Sequence, residues 1–149
     1  MHLNNHLKEF VALLSASNVE FVVVGRVAVA WHGWPRFSDD IDIFARPGTA
    51  NAEALARVLK DFGFSGCGTT VGEDEVLELG SGENRVDVMT SITAVSFDEA
   101  WASRVMGEID GVAIPYIGLK ELLRNKEATG RGLDGVDAHK LRQRNPEVE

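Results

Sequence analysis

Asp40 and Asp42 are two acids separated by one isoleucine in the run Asp40-Ile-Asp-Ile-Phe44. Alternation of polar and apolar residues is the period of a strand, on which residues two apart project from the same face. The two carboxylates then converge, while Ile41 and Ile43 point into the core. Like charges that close repel, and each raises the other's pKa. A divalent cation relieves that repulsion, and magnesium takes hard oxygen ligands, often one or two carboxylates plus substrate phosphates. A solvated strand face is the plain alternative. Asp87 stands in Arg85-Val-Asp-Val-Met89, another strand candidate with a single acid between apolar residues. An acid there is either exposed or part of the same cluster. Three carboxylates from two neighbouring strands can hold two cations, the arrangement used for in-line phosphoryl or nucleotidyl transfer. One cation would bind a triphosphate and the other would lower the pKa of an attacking hydroxyl. Asp87 would serve the second cation or accept the proton. Upstream, Val24-Gly25-Arg26 joins a strand to a helix. Glycine there lets backbone approach a phosphate, and a helix N-terminus favours anions. A tight turn with no ligand is the commoner use of a lone glycine.

The elements that must carry these residues follow from periodicity. Leu3, Leu7, Phe10, Val11 and Leu14 predict an amphipathic helix over 3–16. The β-branched run Phe21–Val24 predicts a buried strand closed by Gly25, followed by a short helix to His32. Asp40–Phe44 is a strand ended by Pro47-Gly48, and Leu55, Val58, Leu59 and Phe62 mark a second amphipathic helix. Glu75–Leu79 and Arg85–Thr90 predict two strands joined by Gly80-Ser-Gly82, a hairpin signal. Phe97–Val105 reads as a short helix. Val112–Ile117 reads as a strand, and its Pro115 predicts a sheet edge or a strand start. Leu119–Thr129 and Leu133–Arg144 read as two helices, parted by Gly130. Mixed strands and helices of this size predict one α+β unit, a mixed sheet with helices packed against it.

The chain has 149 residues, of which 44% are hydrophobic and 26% charged, an ordinary globular balance that excludes global disorder. A single domain over 1–149 is expected, with a core at 20–117 and C-terminal helices at 118–144. No apolar run reaches the roughly 20 residues of a membrane helix. The first ten residues lack a signal-peptide layout, and the lone Cys67 has neither a disulfide partner nor zinc-type spacing. A soluble, cytoplasmic protein is the expectation. The net charge of -8 argues against a protein that coats nucleic acid. Yet Lys120–Arg144 carries seven basic residues against four acidic ones. An acidic body with a basic C-terminal segment suits carboxylates that hold metal and cations that hold polyphosphate. A solvated helix face is the equal alternative.

Gly25-Arg26, thirteen residues, Asp40-Ile-Asp42 and then Asp87 on a later strand together resemble the polymerase β-like nucleotidyltransferase superfamily. Val24–Asp42 is close to the version in minimal nucleotidyltransferases of toxin–antitoxin and abortive-infection systems. Ile117–Arg131, followed by Asp134 and Asp137, is similar to their C-terminal helical pair. The resemblance spans residues 20–142 and is specific in combination, though each motif alone is not. It implies a mixed sheet flanked by helices, with a site at Asp40, Asp42 and Asp87. It implies Mg²⁺, in a two-metal site, and a nucleoside triphosphate such as ATP as substrate. It implies that Lys126, and with it Arg131, reaches the triphosphate: lysine as a mobile point charge, arginine as a fork. Asp134 would orient Lys126 or Arg131, or cap the last helix.

Position 26 departs from the family, which has a small residue there. Arg26 either clamps the triphosphate or fills the pocket and pairs with Asp40 or Asp42. Arg36 is a further phosphate candidate, and Ser38 would fix the loop before Asp40; both also fit plain loop chemistry. His32 reads as a structural hydrogen-bonding residue, Trp31 and Trp34 as core packing, and His139 as exposed. The expected reaction moves a nucleoside monophosphate from NTP to an acceptor hydroxyl and releases pyrophosphate. The acceptor is a tRNA 3′ end or a side chain of a partner toxin or antitoxin protein, with a small molecule third. So short a chain leaves a partner or a homodimer to complete the site. The competing expectation is a degenerate module of the same fold that acts by protein–protein interaction.

Overall fold

The computed structural model describes residues 5–34, 40–63, 76–80, 85–109 and 111–148. Their elements are α1 (Asn5–Ala16), β1 (Phe21–Val24), α2 (Gly25–Trp31), β2 (Asp40–Ala45), α3 (Thr49–Asp61) and β3 (Val76–Leu79). There follow β4 (Arg85–Met89), α4 (Phe97–Ala102), β5 (Val105–Ile109), β6 (Val112–Tyr116), α5 (Leu119–Thr129) and α6 (Asp134–Arg144). The strands form one mixed sheet in the order β3-β4-β2-β1-β6-β5. β2 pairs antiparallel with β1 and parallel with β4, and β6 runs parallel to β1. The expected α+β class with a central mixed sheet is therefore the observed one. No helix among the described residues is long and apolar enough to cross a membrane.

β1 is buried at all four positions, as an apolar β-branched run in mid-sheet requires. In β2, Ile41 and Ile43 are fully buried while the two acids between them keep partial exposure. α1 buries Leu7, Phe10, Val11 and Leu14, the stripe its spacing predicts, and α3 buries Leu55, Val58 and Leu59. These side chains join one apolar cluster that runs through the sheet to Leu122, Leu123, Ala138 and Leu141 on the last two helices. α4 starts at a capping box, with Ser96 accepting from the Glu99 amide and Glu99 accepting from the Ser96 amide.

Two expectations are corrected. The helix read over Phe97–Val105 ends at Ala102, and Val105–Ile109 is a strand. Its pairing with β6, from Val105 opposite Tyr116 to Ile109 opposite Val112, is a long-range gain that local pattern does not report. Pro115 lies inside the sheet rather than at its edge, because β6 sits between β1 and β5. Proline cannot donate to a ladder, and the β1 pairing accordingly begins after it, at Val23 opposite Tyr116 and with the Ile117 amide donating to Val23. Trp31 departs from the core-packing expectation in part. It lies flat on Tyr116 with ring centroids 4.7 Å apart, but remains 40% exposed. Gly107 makes room for that stack: a Cβ there would stand 2.7 Å from both rings.

Candidate active site

Strand register assembles the acids. Asp42 pairs with Asp87 across β2 and β4, and Asp40 stands one pleat before it on the same face. One carboxylate oxygen from each of Asp40, Asp42 and Asp87 lies within 4.8 Å of the others. Asp87 is buried, and Asp40 and Asp42 are half-buried. The donor set is oxygen only, the chemistry that suits a hard divalent cation. Burial, then the charges of Asp40 and Asp87, push the Asp42 carboxyl up to about 7, and the positive charge of Lys126 offsets only part of this.

Gly25 follows Val24, the register partner of Asp42, and its φ of +66° is a conformation that favours glycine. A Cβ at this position would overlap the Asp42 carboxylate, with its Cγ at 2.9 Å. Glycine is thus demanded by contact with the acid as well as by the turn. Gly25→Ala is expected to destabilise the fold by about 1–3 kcal/mol and to displace the Asp42 carboxylate. Urea unfolding, with and without Mn²⁺, reads both effects: the variant unfolds earlier and loses the cation-dependent gain.

Lys126 approaches the acids from α5, close enough for its charge to act on Asp42. It is buried, not a surface lysine. Its Nζ donates to Asp134 at 3.0 Å and lies 3.8 Å from Asp137, which is 2% exposed. Thr129 donates its hydroxyl to Asp134 as well. Burial pushes the Asp134 carboxyl up, but the hydrogen bonds from Thr129 and Lys126 together outweigh it and hold the pKa below the usual range. Asp134 therefore binds Lys126, and Leu133 occupies the cap position. Arg131 is exposed on the connection between the two helices, and its charge is felt at Asp134.

Arg26 is exposed on α2, and no ion pair joins it to Asp40 or Asp42 among the described residues. Arg36, Ser38 and Cys67 lie outside the described residues. His32 behaves structurally: its Nε2–H donates to the Ile117 carbonyl at 2.7 Å, and burial holds its pKa below the ordinary value. Asn145 in turn donates to the His32 carbonyl, which ties the end of α6 to the end of α2. Trp34 is half-buried beneath Lys140 and Arg144, whose charges lie 5.1 and 5.7 Å from its ring, and His139 is exposed.

Two residues, Arg85 and Glu78, escaped the sequence reading. Arg85 donates Nε to Asp87 at 3.0 Å and Nη2 to its other oxygen at 3.3 Å, and also reaches Glu78 at 3.2 Å. The signal was available: Arg85 and Asp87 share the two-residue spacing of Asp40 and Asp42. Asp137 lies three residues after Asp134, on the same side of α6.

Among curated proteins no sequence relative is found. Solved structures share the fold. A nucleotidyltransferase-type protein of Thermotoga maritima, TM1012, is 20% identical with a TM-score of 0.67, over 95% of this chain and 91% of that one. An antigenic nucleotidyltransferase-like protein of Paracoccidioides brasiliensis is 18% identical with a TM-score of 0.60, over 97% and 78%. The antibiotic-resistance factor ANT(2'')-Ia, in complex with adenylyl-2''-tobramycin, is 15% identical with a TM-score of 0.59, over 91% and 84%. Residues 3–147 match the family described as nucleotidyl transferase of unknown function (DUF2204). With that match over nearly its whole length and a sheet that brings Asp40, Asp42 and Asp87 together, the chain belongs to this nucleotidyl transferase family, within the polymerase β-like nucleotidyltransferase superfamily.

Proposed function

We propose that this chain, as a single nucleotidyltransferase domain, moves a nucleoside monophosphate from an NTP to an acceptor hydroxyl with Mg²⁺ as cofactor. The observation that carries this is the convergence of three carboxylate oxygens within 4.8 Å beside a glycine that cannot bear a side chain. Mg²⁺, when bound by Asp40, Asp42 and Asp87, polarises the phosphoryl oxygens and acidifies the attacking hydroxyl. The acceptor oxygen bonds to the α-phosphorus while the bond from that phosphorus to the bridging oxygen breaks, and pyrophosphate leaves. Asp87 accepts the hydroxyl proton and passes it to solvent. Lys126, held by Asp134 and Asp137, neutralises charge that develops on the departing phosphates. Arg131, and Arg36 and Ser38 shortly before Asp40 in the sequence, complete the phosphate contacts. Arg26 is exposed, with no ion pair to Asp40 or Asp42 among the described residues, and so can contact phosphate. Its position favours this reading over a plugged, degenerate module.

The acceptor is a tRNA 3′ end or a side chain of a partner protein, in a toxin–antitoxin setting in the cytoplasm. Lys140 and Arg144 over Trp34 give α6 a basic, aromatic-backed face that suits the RNA. The test is transfer of α-³²P label from each of the four NTPs, with Mg²⁺, into a bacterial lysate supplemented with total tRNA. A nuclease-sensitive band absent with Asp42→Asn is the expected result. A protease-sensitive band identifies a protein acceptor instead. Equal labelling by wild type and Asp42→Asn overturns the assignment.

A further inference from the structure

Register places Glu78, Asp87 and Asp42 in one row across β3, β4 and β2, and sets Arg85 directly opposite Asp40 in the next row. Asp40, Asp42 and Asp87 are three corners of a square on one sheet face, and Arg85 is the fourth. Like charges opposite one another on neighbouring strands are destabilising. The arginine meets that problem at the one corner from which it also reaches Asp87. Its contact is a fork, Nε to one oxygen at 3.0 Å and Nη2 to the other at 3.3 Å, which defines the plane of the Asp87 carboxylate. The same Nη2 also lies 3.2 Å from the Glu78 carboxylate. The arginine side chain is 41% exposed and that of Asp87 only 12%, so Arg85 covers the acid from the rim of the site.

We infer that Arg85 is the resident counter-ion of Asp87, whose positive charge competes with divalent cations for that carboxylate. The inference rests on the proposed reading that Asp40, Asp42 and Asp87 take a divalent cation. It distinguishes Arg85 from a merely structural residue by the sign of its effect. Loss of a structural support loosens Asp87 and weakens cation binding. Loss of a competing positive charge a few ångströms away strengthens it.

The experiment is a Mn²⁺ titration of the full chain at pH 8 without nucleotide, followed by the electron paramagnetic resonance of free Mn²⁺. Wild type, Arg85→Gln, Arg85→Ala and Arg85→Lys are compared, each first checked for a cooperative melt. The glutamine variant keeps most of the side-chain volume where alanine fails to fold. Expected are at least roughly threefold tighter binding in the two uncharged variants and binding within about twofold of wild type in the lysine variant. Unchanged or weaker binding in the uncharged variants overturns the role of Arg85 while leaving the metal site standing. Tightening in the lysine variant as well overturns it too, since charge is then not the cause. Wild type that takes up no Mn²⁺ overturns the metal reading itself, and the inference with it.

Discussion

Asp42→Asn abolishes transfer, by at least about a thousandfold, and raises the melting temperature of the metal-free protein at pH 8. The two effects share one cause. The Asp42 carboxyl is pushed up to about 7, first by burial and then by Asp40 and Asp87. Its folded pKa therefore exceeds its unfolded one, and the native state binds the extra proton between about pH 4 and 7. Stability contributed by this group is present below the unfolded pKa and is lost as pH rises through the folded value. A shift of this size corresponds to at most about 4 kcal/mol, and partial exposure reduces it to roughly half. Asparagine never ionises, so its advantage of about 2 kcal/mol, roughly 5 °C in Tm, appears above pH 7 and disappears near pH 4. Differential scanning fluorimetry of both proteins across pH 4–8, in EDTA, measures it. Two parallel melting curves at every pH would contradict the electrostatic cause. The wild type recovers its deficit when Mn²⁺ is added at pH 8, because a bound cation stabilises only the folded chain.

The second large effect is at Lys126. Replacement by methionine takes the Lys126 charge away from Asp134 and from the 2% exposed Asp137. Breaking a buried pair from one side costs about 3–5 kcal/mol; Asp134 keeps its Thr129 bond and some solvent, so about 2–4 kcal/mol is expected. Transfer falls about a hundredfold or more, from loss of the charge that faces the phosphates. The two losses separate in a triple variant. Lys126→Met with Asp134→Asn and Asp137→Asn also removes the two negative charges that faced the lysine, so most of the stability returns while activity does not. Urea midpoints and label transfer, taken on wild type, Lys126→Met and the triple variant, decide it. Activity that returns with stability would reduce Lys126 to a structural residue.

These effects divide by how they could be read from the chain. Asp40 and Asp42 were legible because strand period is two, and alternation with isoleucine fixes which side chains share a face whatever packs against them. The helical stripes of α1 and α3 were legible for the same reason at period 3.6, and the Gly25 turn was legible because few residues follow a buried strand so abruptly. What Gly25 touches was not: its quarrel with a Cβ is with Asp42, seventeen residues on, through the β1–β2 register.

Asp87 shows the boundary most clearly. Its strand and its acid were evident, but only the parallel pairing of β4 with β2 seats it beside Asp42. The same pairing brings Arg85 to the square, and β3 brings Glu78. β5 was hidden because Val105–Ile109 becomes a strand through its partner β6, and Pro115 is tolerated inside the sheet because β1 pairs only beyond it. Lys126 was singled out by the family resemblance alone, with a surface charge as its alternative, and tertiary packing made it a buried ion clasped by α6. By itself, the amino-acid order determined the elements other than β5, their faces and the two acids of β2, since those depend on local geometry and residue type. The tertiary structure alone decided which charges meet, which are desolvated and that the Asp42 carboxyl is pushed up, because Coulomb and desolvation energies depend on distance and burial rather than on separation along the chain.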